Sequence, residues 1–343
     1  MNKKVLLLMA LCLVAAACEQ KTETTSGQEA KEYLDLYMKA VYPNVPKNAD
    51  GIYILEDTPG SGEAWDKSLD YILADVTIRA LGGGTVTSTT DKALAQQLGT
   101  YSPANYYGPK WMAMGEGISF AGIDAMLSGM RLGGTRKAVI PAWMLTTSRL
   151  GSEEKYLAAC TSSTHLEYTI GLQGQTADVD QVEKQQLAQY VTSHYGTSVQ
   201  PVSYVTDEEP DGKFYFISDV SAFGDQEPIK AGETFQLNYT GKLLNGQVFD
   251  TTVEKVAKDA GLYNSAAAYT TVAIVQASAY DNVTLGGSSS LINGFKGALY
   301  LLKYKGQKAT VLFTSTHGYG SSGKGASIPG YAPLIFELEV MAE

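Results

Sequence analysis

The chain contains the same sequence pattern twice. Residues 50–57 and 211–219 each leave an Asp-Gly turn, alternate like a β-strand and enter a Gly-rich loop. Residues 122–140 and 294–313 each have apolar positions at helical spacing, followed by a glycine suited to a left-handed turn and by another strand-like run. Successive strands around one helix are typical of α+β domains. The repeat therefore predicts an α+β chain of two duplicated domains, each a bent antiparallel β-sheet wrapped around a short helix.

An amphipathic helix is predicted before each domain, at about residues 28–41 and 179–193. Each has an apolar face opposite a face rich in Glu, Gln and Lys. The expected apolar positions are Leu34, Tyr37, Met38 and Val41 in the first helix and Val179, Val182, Leu187, Tyr190 and Val191 in the second. We expect each helix to pack on the domain beside it. The alternative is a dimerisation helix, which would make the protein a homodimer.

The first residues have the pattern of a secretory signal, with a basic start followed by an almost entirely apolar stretch at residues 5–17. That stretch is too short to cross a bilayer, which takes ~20 residues. Residues 15–18, Ala-Ala-Ala-Cys, resemble a bacterial lipobox with Ala15 in place of the usual Leu. The resemblance implies that Cys18 is lipidated and anchors an extracytoplasmic protein to the outer membrane, on its periplasmic or surface face. The alternative is ordinary secretion with Ala-X-Ala cleavage.

Cysteine and histidine usage argues against disulfides and metal sites. Cys12 would leave with the signal and Cys18 would carry lipid, so Cys160 has no intramolecular partner. The three histidines, His165, His194 and His317, are scattered along the chain and form no zinc-binding pattern. We therefore expect no metal and no cofactor.

The charge of the chain argues against one class of partner. The formal net charge is -10 at pH 7, and Lys and Arg form no cluster. Nucleic-acid binding needs a basic patch or stripe. We therefore expect no nucleic-acid partner.

The most informative stretch of the second domain is residues 235–250, Phe-Gln-Leu-Asn-Tyr-Thr-Gly-Lys-Leu-Leu-Asn-Gly-Gln-Val-Phe-Asp. Apolar and polar residues alternate into Tyr239, Asn245 and Gly246 provide a tight turn, and Phe249 and Asp250 follow in a second strand-like run. The stretch predicts a β-hairpin with aromatic side chains and a carboxylate on chosen faces.

With this hairpin in place, the second half of the chain resembles the macrolide-binding FKBP family of peptidyl-prolyl cis-trans isomerases. The resemblance covers about residues 212–343. Its matching pieces occur in order and with near-family spacing, at residues 238–241, 245–250, 291–295, 306–309, 317–320 and 328–329 and in the closing strand through Phe336. Any single piece is weak, but the ordered set is specific.

The resemblance implies an apolar cup that receives a prolyl ring. Carried over, the catalytic set is Tyr239, Phe249, Asp250, Ile292, Phe295, Tyr319 and Phe336, and Leu291 and Ile328 are substrate-binding residues. Phe295 forms the floor, where the family usually has Trp. Asp250 matches the carboxylate near the reacting amide. The Tyr319 hydroxyl and the Ile292 backbone N–H match the groups that hold ligand carbonyls.

The chain departs from the family pattern directly after Asp250. Residues 251–281 stand where the family has a short bulged segment, and such long insertions beside a pocket are often functional. Within them, residues 253–260 are predicted to be helical and residues 266–280 are rich in small and apolar side chains. The insertion would cover the cup, widen substrate contact or obstruct it.

The first domain lacks the same site residues. Residues 76–79, Val-Thr-Ile-Arg, stand at the Tyr-Thr-Gly position, Thr87 and Ser88 stand at the Phe-Asp position, and Ile123 stands at the floor. Residues 141–146 have no Tyr-Gly pair. We expect a degenerate FKBP-like domain without a catalytic pocket, with a structural, dimerising or chain-binding role.

The resemblance implies a prolyl isomerase that assists the folding of exported proteins, with unfolded or exported polypeptides containing X-Pro bonds as partners. The residues suit that chemistry, because the ~18–20 kcal/mol rotation barrier comes from amide resonance. A dry aromatic cup favours the twisted transition state without a nucleophile or a metal. The alternative is a non-enzymatic chain-binding or scaffold lipoprotein, which the degenerate first domain and the long insertion would suit.

These predictions divide the chain into successive segments. They are a signal peptide at 1–17, a lipoprotein tether at 18–27, a helix and linker at 28–48, a degenerate FKBP-like domain at 49–173, a helical linker at 174–210 and an FKBP-type domain at 211–343 with an insertion at about 251–281.

Overall fold

The computed structural model describes residues 25–82, 84, 86–204, 210–219 and 227–342. The predicted signal peptide at 1–17, the lipidation site Cys18 and most of the predicted tether lie outside the described residues. Within the described ranges, no helix is both long and apolar enough to span a bilayer.

In the described residues the first unit is a six-stranded antiparallel sheet with four α-helices and a short 3₁₀ helix at Ala142–Met144. Its elements in chain order are α1 (Ser26–Val41), β1 (Tyr53–Thr58), β2 (Tyr71–Ala80), β3 (Val86–Thr89), α2 (Lys92–Gln97), β4 (Lys110–Ala113), α3 (Ala121–Leu127), β5 (Thr135–Ile140), α4 (Glu153–Ala159) and β6 (Leu166–Thr176). The strands pair in the order β1-β5-β6-β2-β3, and β4 also pairs with β2.

The second unit is also a six-stranded antiparallel sheet, preceded by a long helix. Its elements are α5 (Val179–Tyr195), β7 (Phe214–Ser218), β8 (Thr234–Leu243), β9 (Val248–Thr251), α6 (Glu254–Asp259), β10 (Val272–Val275), α7 (Asn293–Leu301), β11 (Lys308–Phe313) and β12 (Leu334–Val340). Within its described residues the unit also contains three short 3₁₀ helices, at Tyr280–Asn282, Ser315–His317 and Gly320–Ser322. The strands pair in the order β10-β8-β12-β11-β7, and β9 also pairs with β8.

The two units have the same strand order and connectivity. Reading the second sheet from its other edge gives β7-β11-β12-β8, the counterpart of β1-β5-β6-β2, with two further strands on β8 as on β2. The prediction of an α+β chain with two antiparallel sheets is therefore confirmed.

Residues 251–281 contain regular secondary structure. The predicted helix is present as α6, but Val272–Val275 form strand β10 of the sheet. The first unit has the same arrangement, because α2 follows β3 and β4 pairs with β2. Each unit thus has a helix and a further strand at this place.

Helix starts and the central hairpin follow from local sequence. The side chains of Asp91, Ser152 and Asp178 each accept a hydrogen bond from a backbone N–H in the first turn of α2, α4 and α5. The turn predicted between β8 and β9 is present, and Gly246 adopts φ 85°, which side chains disfavour.

Each long helix packs on the unit that follows it. Leu34 and Met38 of α1 belong to the first apolar core, and Leu187 and Val191 of α5 pack against Leu312, Tyr215 and Ile335 of the second sheet. The predicted faces were wrong at two positions. Val41 is 41% exposed at the last turn of α1, and Glu183, not Val182, occupies the buried face of α5.

The first unit contacts the second through the segment between α2 and β4 and through the start of β2. The Tyr106 N–H donates to the Ala326 carbonyl at 2.8 Å. The Gln247 Nε2 donates to the Asn105 carbonyl at 3.1 Å. The rings of Tyr71 and Tyr331 meet edge to face with their centroids 5.3 Å apart. These contacts join the first unit to the β8–β9 turn and to the loop between β11 and β12.

His165 is a buried joint between α1 and the first sheet. Its Nδ1 accepts from the Ala142 N–H and its Nε2 donates to the Ala30 carbonyl, each at 3.0 Å. The ring stacks on Tyr33 and lies edge-on to Trp143. Burial lowers the pKa of His165, and a protonated Nδ1 would lose its acceptor role towards Ala142.

We expect the free energy of unfolding of the first unit to fall as the pH drops below 6.5, the ordinary value for histidine. Below that pH the unfolded chain takes up a proton on this histidine, whereas the folded chain resists protonation of His165. The contribution of His165 to the free energy of unfolding is therefore complete above that pH and is lost on acidification. All three tryptophans, Trp65, Trp111 and Trp143, lie in this unit, so their fluorescence in urea titrations reports its unfolding. The His165→Gln variant should lack this pH dependence; the same slope in both proteins would contradict the assignment.

Candidate active site

Four aromatic side chains meet at one end of the second sheet, above α7. Phe295 of α7 and Phe336 of β12 have ring centroids 4.6 Å apart. Tyr239 of β8 lies 5.4 Å from Phe295, and Phe249 of β9 lies 5.6 Å from Phe336. Phe295 and Phe336 are buried, whereas Tyr239 and Phe249 are half-buried. The group forms an aromatic cup, with Phe295 and Phe336 at its base.

A β-bulge aims two consecutive side chains at this cup. The register between β8 and β9 pairs Gly241 with Asp250 and Lys242 with Val248, so Phe249 is the extra residue. In a regular strand neighbouring side chains face opposite ways, and a bulge changes their direction. Here Phe249 contacts Phe336 while Asp250 contacts Tyr239.

The missing side chain at position 241 makes room for Phe249. A Cβ on Gly241 would lie 2.5 Å from the Phe249 ring and 3.0 Å from the Phe336 ring. Such distances are too short for carbon atoms that do not share a bond. The Tyr-Thr-Gly motif therefore has a physical cause here, because its glycine lets the β9 aromatic ring lie flat against β8.

Tyr239 and Asp250 form the polar edge of the cup. The Tyr239 hydroxyl donates to Asp250 Oδ2 at 3.0 Å. Burial, and then the neighbouring carboxylate, raise the pKa of Tyr239 far above its ordinary value, so the phenol stays protonated and remains a donor. The Asp250 side chain is exposed and is held in place by this bond.

The residues before α7 provide a backbone donor at the cup. Leu291 and Ile292 are half-buried and pack on the same apolar cluster. Ile292 is the N-cap of α7, and its carbonyl accepts from the Lys296 N–H at 3.0 Å. Its own N–H donates to no acceptor within the described part of the chain. This N–H is therefore available to a ligand carbonyl.

Tyr319 and Ile328 lie at the two ends of the loop that follows β11. Tyr319 is half-buried, and Lys324 donates to its hydroxyl at 3.2 Å and lies 5.1 Å from its ring centroid. Ile328 is only 1% exposed and belongs to the core cluster that supports the cup. The sequence analysis did not single out Lys324, whose ammonium group lies beside the Tyr319 hydroxyl.

The structure brings the sequence-predicted residues together. Phe295, Ile328 and Phe336 form part of one buried cluster, and Tyr239, Phe249, Leu291, Ile292 and Tyr319 pack on it. Asp250 joins them through Tyr239. Among the described residues, no group of three or more His, Cys, Asp or Glu is arranged to hold a metal ion.

Sequence reasoning also missed Glu183, which supports the loop carrying Tyr319. This carboxylate of α5 is 1% exposed and accepts from both the Oγ and the N–H of Ser315, the first residue of the 3₁₀ helix that leads to Tyr319. Burial raises the pKa of Glu183, against the effect of the Ser315 bonds. Its i, i+4 spacing with Val179 and Leu187 places a carboxylate in an apolar stripe, a signal visible in the sequence.

The corresponding end of the first sheet has no such cup. The register places Val76 at the position of Tyr239, Ile78 at that of Gly241 and Tyr168 at that of Phe336. The same bulge occurs in β3, but Thr87 is its extra residue and Ser88 follows it. The first unit thus keeps the backbone of the site and one aromatic position, Tyr168, but lacks the rings of Tyr239 and Phe249 and the carboxylate.

The chain is similar in sequence to one family of proteins. The sequence model of that family, FKBP-type peptidyl-prolyl cis-trans isomerase, matches residues 276–341. A relative in Haemophilus influenzae, named "Probable FKBP-type peptidyl-prolyl cis-trans isomerase", is 31% identical over 122 residues, which cover 36% of this chain and 40% of that protein.

Two fungal proteins are matched over most of their length. FK506-binding protein 1 of Rhizopus delemar is 31% identical over 112 residues, covering 33% of this chain and 82% of that protein. A peptidyl-prolyl cis-trans isomerase of Schizosaccharomyces pombe is 26% identical over 123 residues, covering 36% of this chain and 88% of that protein. The match therefore spans less than half of the Haemophilus protein and about a third of this chain.

We expect Gly241→Ala to destabilise the second unit by about 1–3 kcal/mol, the usual effect of overpacking a core. The new methyl group would push Phe249 off Phe336 and break the cup. Gly171→Ala is a matched control, because a Cβ at this strand glycine meets no atom closer than 3.6 Å. The measurement is hydrogen exchange of the β8 and β9 amides. Equal protection in the two variants would refute this account of Gly241.

Proposed function

Because this chain belongs to the FKBP-type peptidyl-prolyl cis-trans isomerase family, we propose that its C-terminal unit accelerates rotation about X-Pro bonds in the aromatic cup. The observation that carries the proposal is the convergence of Tyr239, Phe249, Phe295 and Phe336 beside Asp250. The cup has apolar walls. Its edge carries one carboxylate, a backbone N–H donor and phenolic O–H donors.

The chemistry of the reaction suits such a cup. Amide resonance gives the X-Pro bond its barrier and draws negative charge onto the carbonyl oxygen. The uncatalysed rotation takes tens to hundreds of seconds, slow enough to limit folding. An apolar environment disfavours the polar planar ground state, and the twisted transition state has lost the resonance. Binding the prolyl ring among aromatic walls therefore lowers the barrier without a covalent step.

The polar groups are proposed to hold the chain on either side of the proline. The Ile292 N–H and the Tyr319 hydroxyl donate to carbonyl oxygens of the substrate, and Leu291 and Ile328 shape the apolar wall. Asp250 is oriented by the Tyr239 hydroxyl and interacts with the polarised amide. Phe295 supplies a floor smaller than an indole and without an N–H donor.

The cellular role is proposed from the N-terminal sequence. Lipidation at Cys18 would hold the protein at the outer membrane, where exported polypeptides with X-Pro bonds fold. The first unit is proposed to be a degenerate FKBP-like domain that has kept the fold and lost the reaction. Its Val76, Thr87 and Ser88 support that assignment.

The activity is tested with the unlipidated chain in a proline-limited refolding assay and with short X-Pro peptides. We expect Asp250→Ala and Tyr319→Ala each to lower the rate constant by at least about fivefold, or ~1 kcal/mol of transition-state stabilisation. The matched control is Ser88→Ala, at the position of Asp250 in the first unit, which should leave the rate unchanged. If the parent protein gives no acceleration over buffer, the isomerase proposal fails.

The proposed anchor has its own test. Cys18→Ala should move the protein from the membrane fraction to the soluble fraction and abolish incorporation of labelled fatty acid, because a thioether-linked lipid needs the thiol. A single acyl chain inserted in a bilayer gives only marginal membrane binding, and stable attachment to the membrane takes at least two such membrane-binding signals. Membrane attachment and labelling that survive the substitution would exclude Cys18 as the lipid site.

A further inference from the structure

A cleft of about 540 Å³ lies between the two units. The first unit contributes β4 and the segment before it, α5 contributes one face, and the second unit contributes the β8–β9 turn and residues 329–333. Its volume lies within the ~300–1,000 Å³ range of ligand-binding clefts, which occur preferentially between domains.

The walls of the cleft combine aromatic rings with amide side chains. Trp111 of β4, Tyr190 of α5 and Tyr331 of the second unit present half-buried rings. Gln186 and Gln189 of α5 offer paired amide donors and acceptors on the facing side. Aromatic surfaces bind side chains of low polarity, and amides can hydrogen-bond to an extended peptide backbone. This combination fits a polypeptide segment.

The charge of the cleft favours an acidic segment. Among the described residues that line it, Lys110 is the one charged side chain and none is Asp or Glu, although the whole chain carries a net charge of -10. Lys110 is half-buried and makes no ion pair with any residue in the described ranges. A half-buried ammonium in an acidic protein attracts a carboxylate more strongly than an exposed one does.

Tyr331 gives the cleft a pre-organised wall. With φ 58°, it is the only non-glycine residue of the described chain that has a left-handed backbone. Its N–H donates to the Gly320 carbonyl, and its ring packs edge-on against Tyr71 of the first unit. Such a conformation persists only where its surroundings impose it, and strained residues of this kind cluster at binding sites.

The cleft and the aromatic cup share strand β8 and the loop between β11 and β12. Pro329, at its edge, directly follows Ile328 of the supporting core, and the Tyr106 N–H bonds to Ala326 in the same loop. Leu243 of the cleft lies on β8 two residues after Gly241, against which Phe249 packs. The loop between β11 and β12 therefore carries Tyr319 of the candidate site as well as one wall of the cleft.

We propose that this cleft is a second binding site for the substrate polypeptide. It takes an extended segment with an aromatic or aliphatic side chain and a carboxylate, and it requires no proline. The proposal deepens the proposed function, because the same chain would occupy the cup and the cleft. It predicts that the cleft contributes to affinity for long substrates and leaves short ones unaffected.

The test compares Trp111→Ala and Lys110→Met in the full chain. With a proline-limited unfolded protein as substrate we expect KM to rise about tenfold for Trp111→Ala, a typical effect of losing a central aromatic contact. With a short X-Pro peptide, kcat/KM should not change. Lys255→Met, at an exposed lysine of α6, is the matched charge control and should leave both substrates unaffected.

Direct binding separates this proposal from the proposed function. A short proline-free peptide with one Phe and two Asp, titrated by calorimetry, should bind the parent protein, and its Lys-for-Asp analogue should bind more weakly. Lys110→Met should remove that preference. These binding measurements do not depend on catalysis. They would test the cleft even if the parent protein had no isomerase activity. If the peptide does not bind, or binds equally to all variants, the cleft proposal is overturned.

Tyr331→Asn is the second variant, in case Trp111→Ala does not fold. Asn tolerates a left-handed backbone, so the substitution removes the ring while keeping the loop conformation. We expect weaker binding of the acidic peptide and unchanged turnover of the short X-Pro peptide. Unchanged binding would show that the ring does not line a working site.

Discussion

The active end of the second unit depends on a missing side chain. Gly241 lets the bulged Phe249 lie against Phe336, and the same bulge turns Asp250 towards the Tyr239 hydroxyl. A single Cβ at this position would separate the rings, because the space is already filled. The apolar walls of the cup and its polar edge therefore both depend on the close approach of β8 and β9.

The first unit shows what the same scaffold does without those residues. Its strand order is identical and its bulge is at the same place, so the backbone geometry does not depend on the aromatic cup. Ile78 stands at the position of Gly241, and Thr87 stands at that of Phe249 without an aromatic ring. The same fold thus occurs in this chain with the aromatic cup and without it.

Long-range contacts tie the site to the rest of the chain. Glu183, in the helix between the units, holds Ser315 at the base of the loop that carries Tyr319. Tyr106 of the first unit bonds to the far side of that loop at Ala326. The loop that completes the cup is therefore fixed at both ends by segments outside the family-like domain, which gives the linker helix and the first unit a part in the site.

The sequence by itself determined the duplicated α+β pattern, the hairpin at 235–250 and the aromatic set, because alternation and turn residues act over short distances. The apolar helix faces predicted from the sequence were wrong at Val41 and Val182, where tertiary packing overrode the helical periodicity. Only the tertiary structure decided the pairing of Glu183 with Ser315, the strained Tyr331 and the cleft around Trp111 and Lys110. Each of these depends on which distant segments come together, and local periodicity carries no information about that.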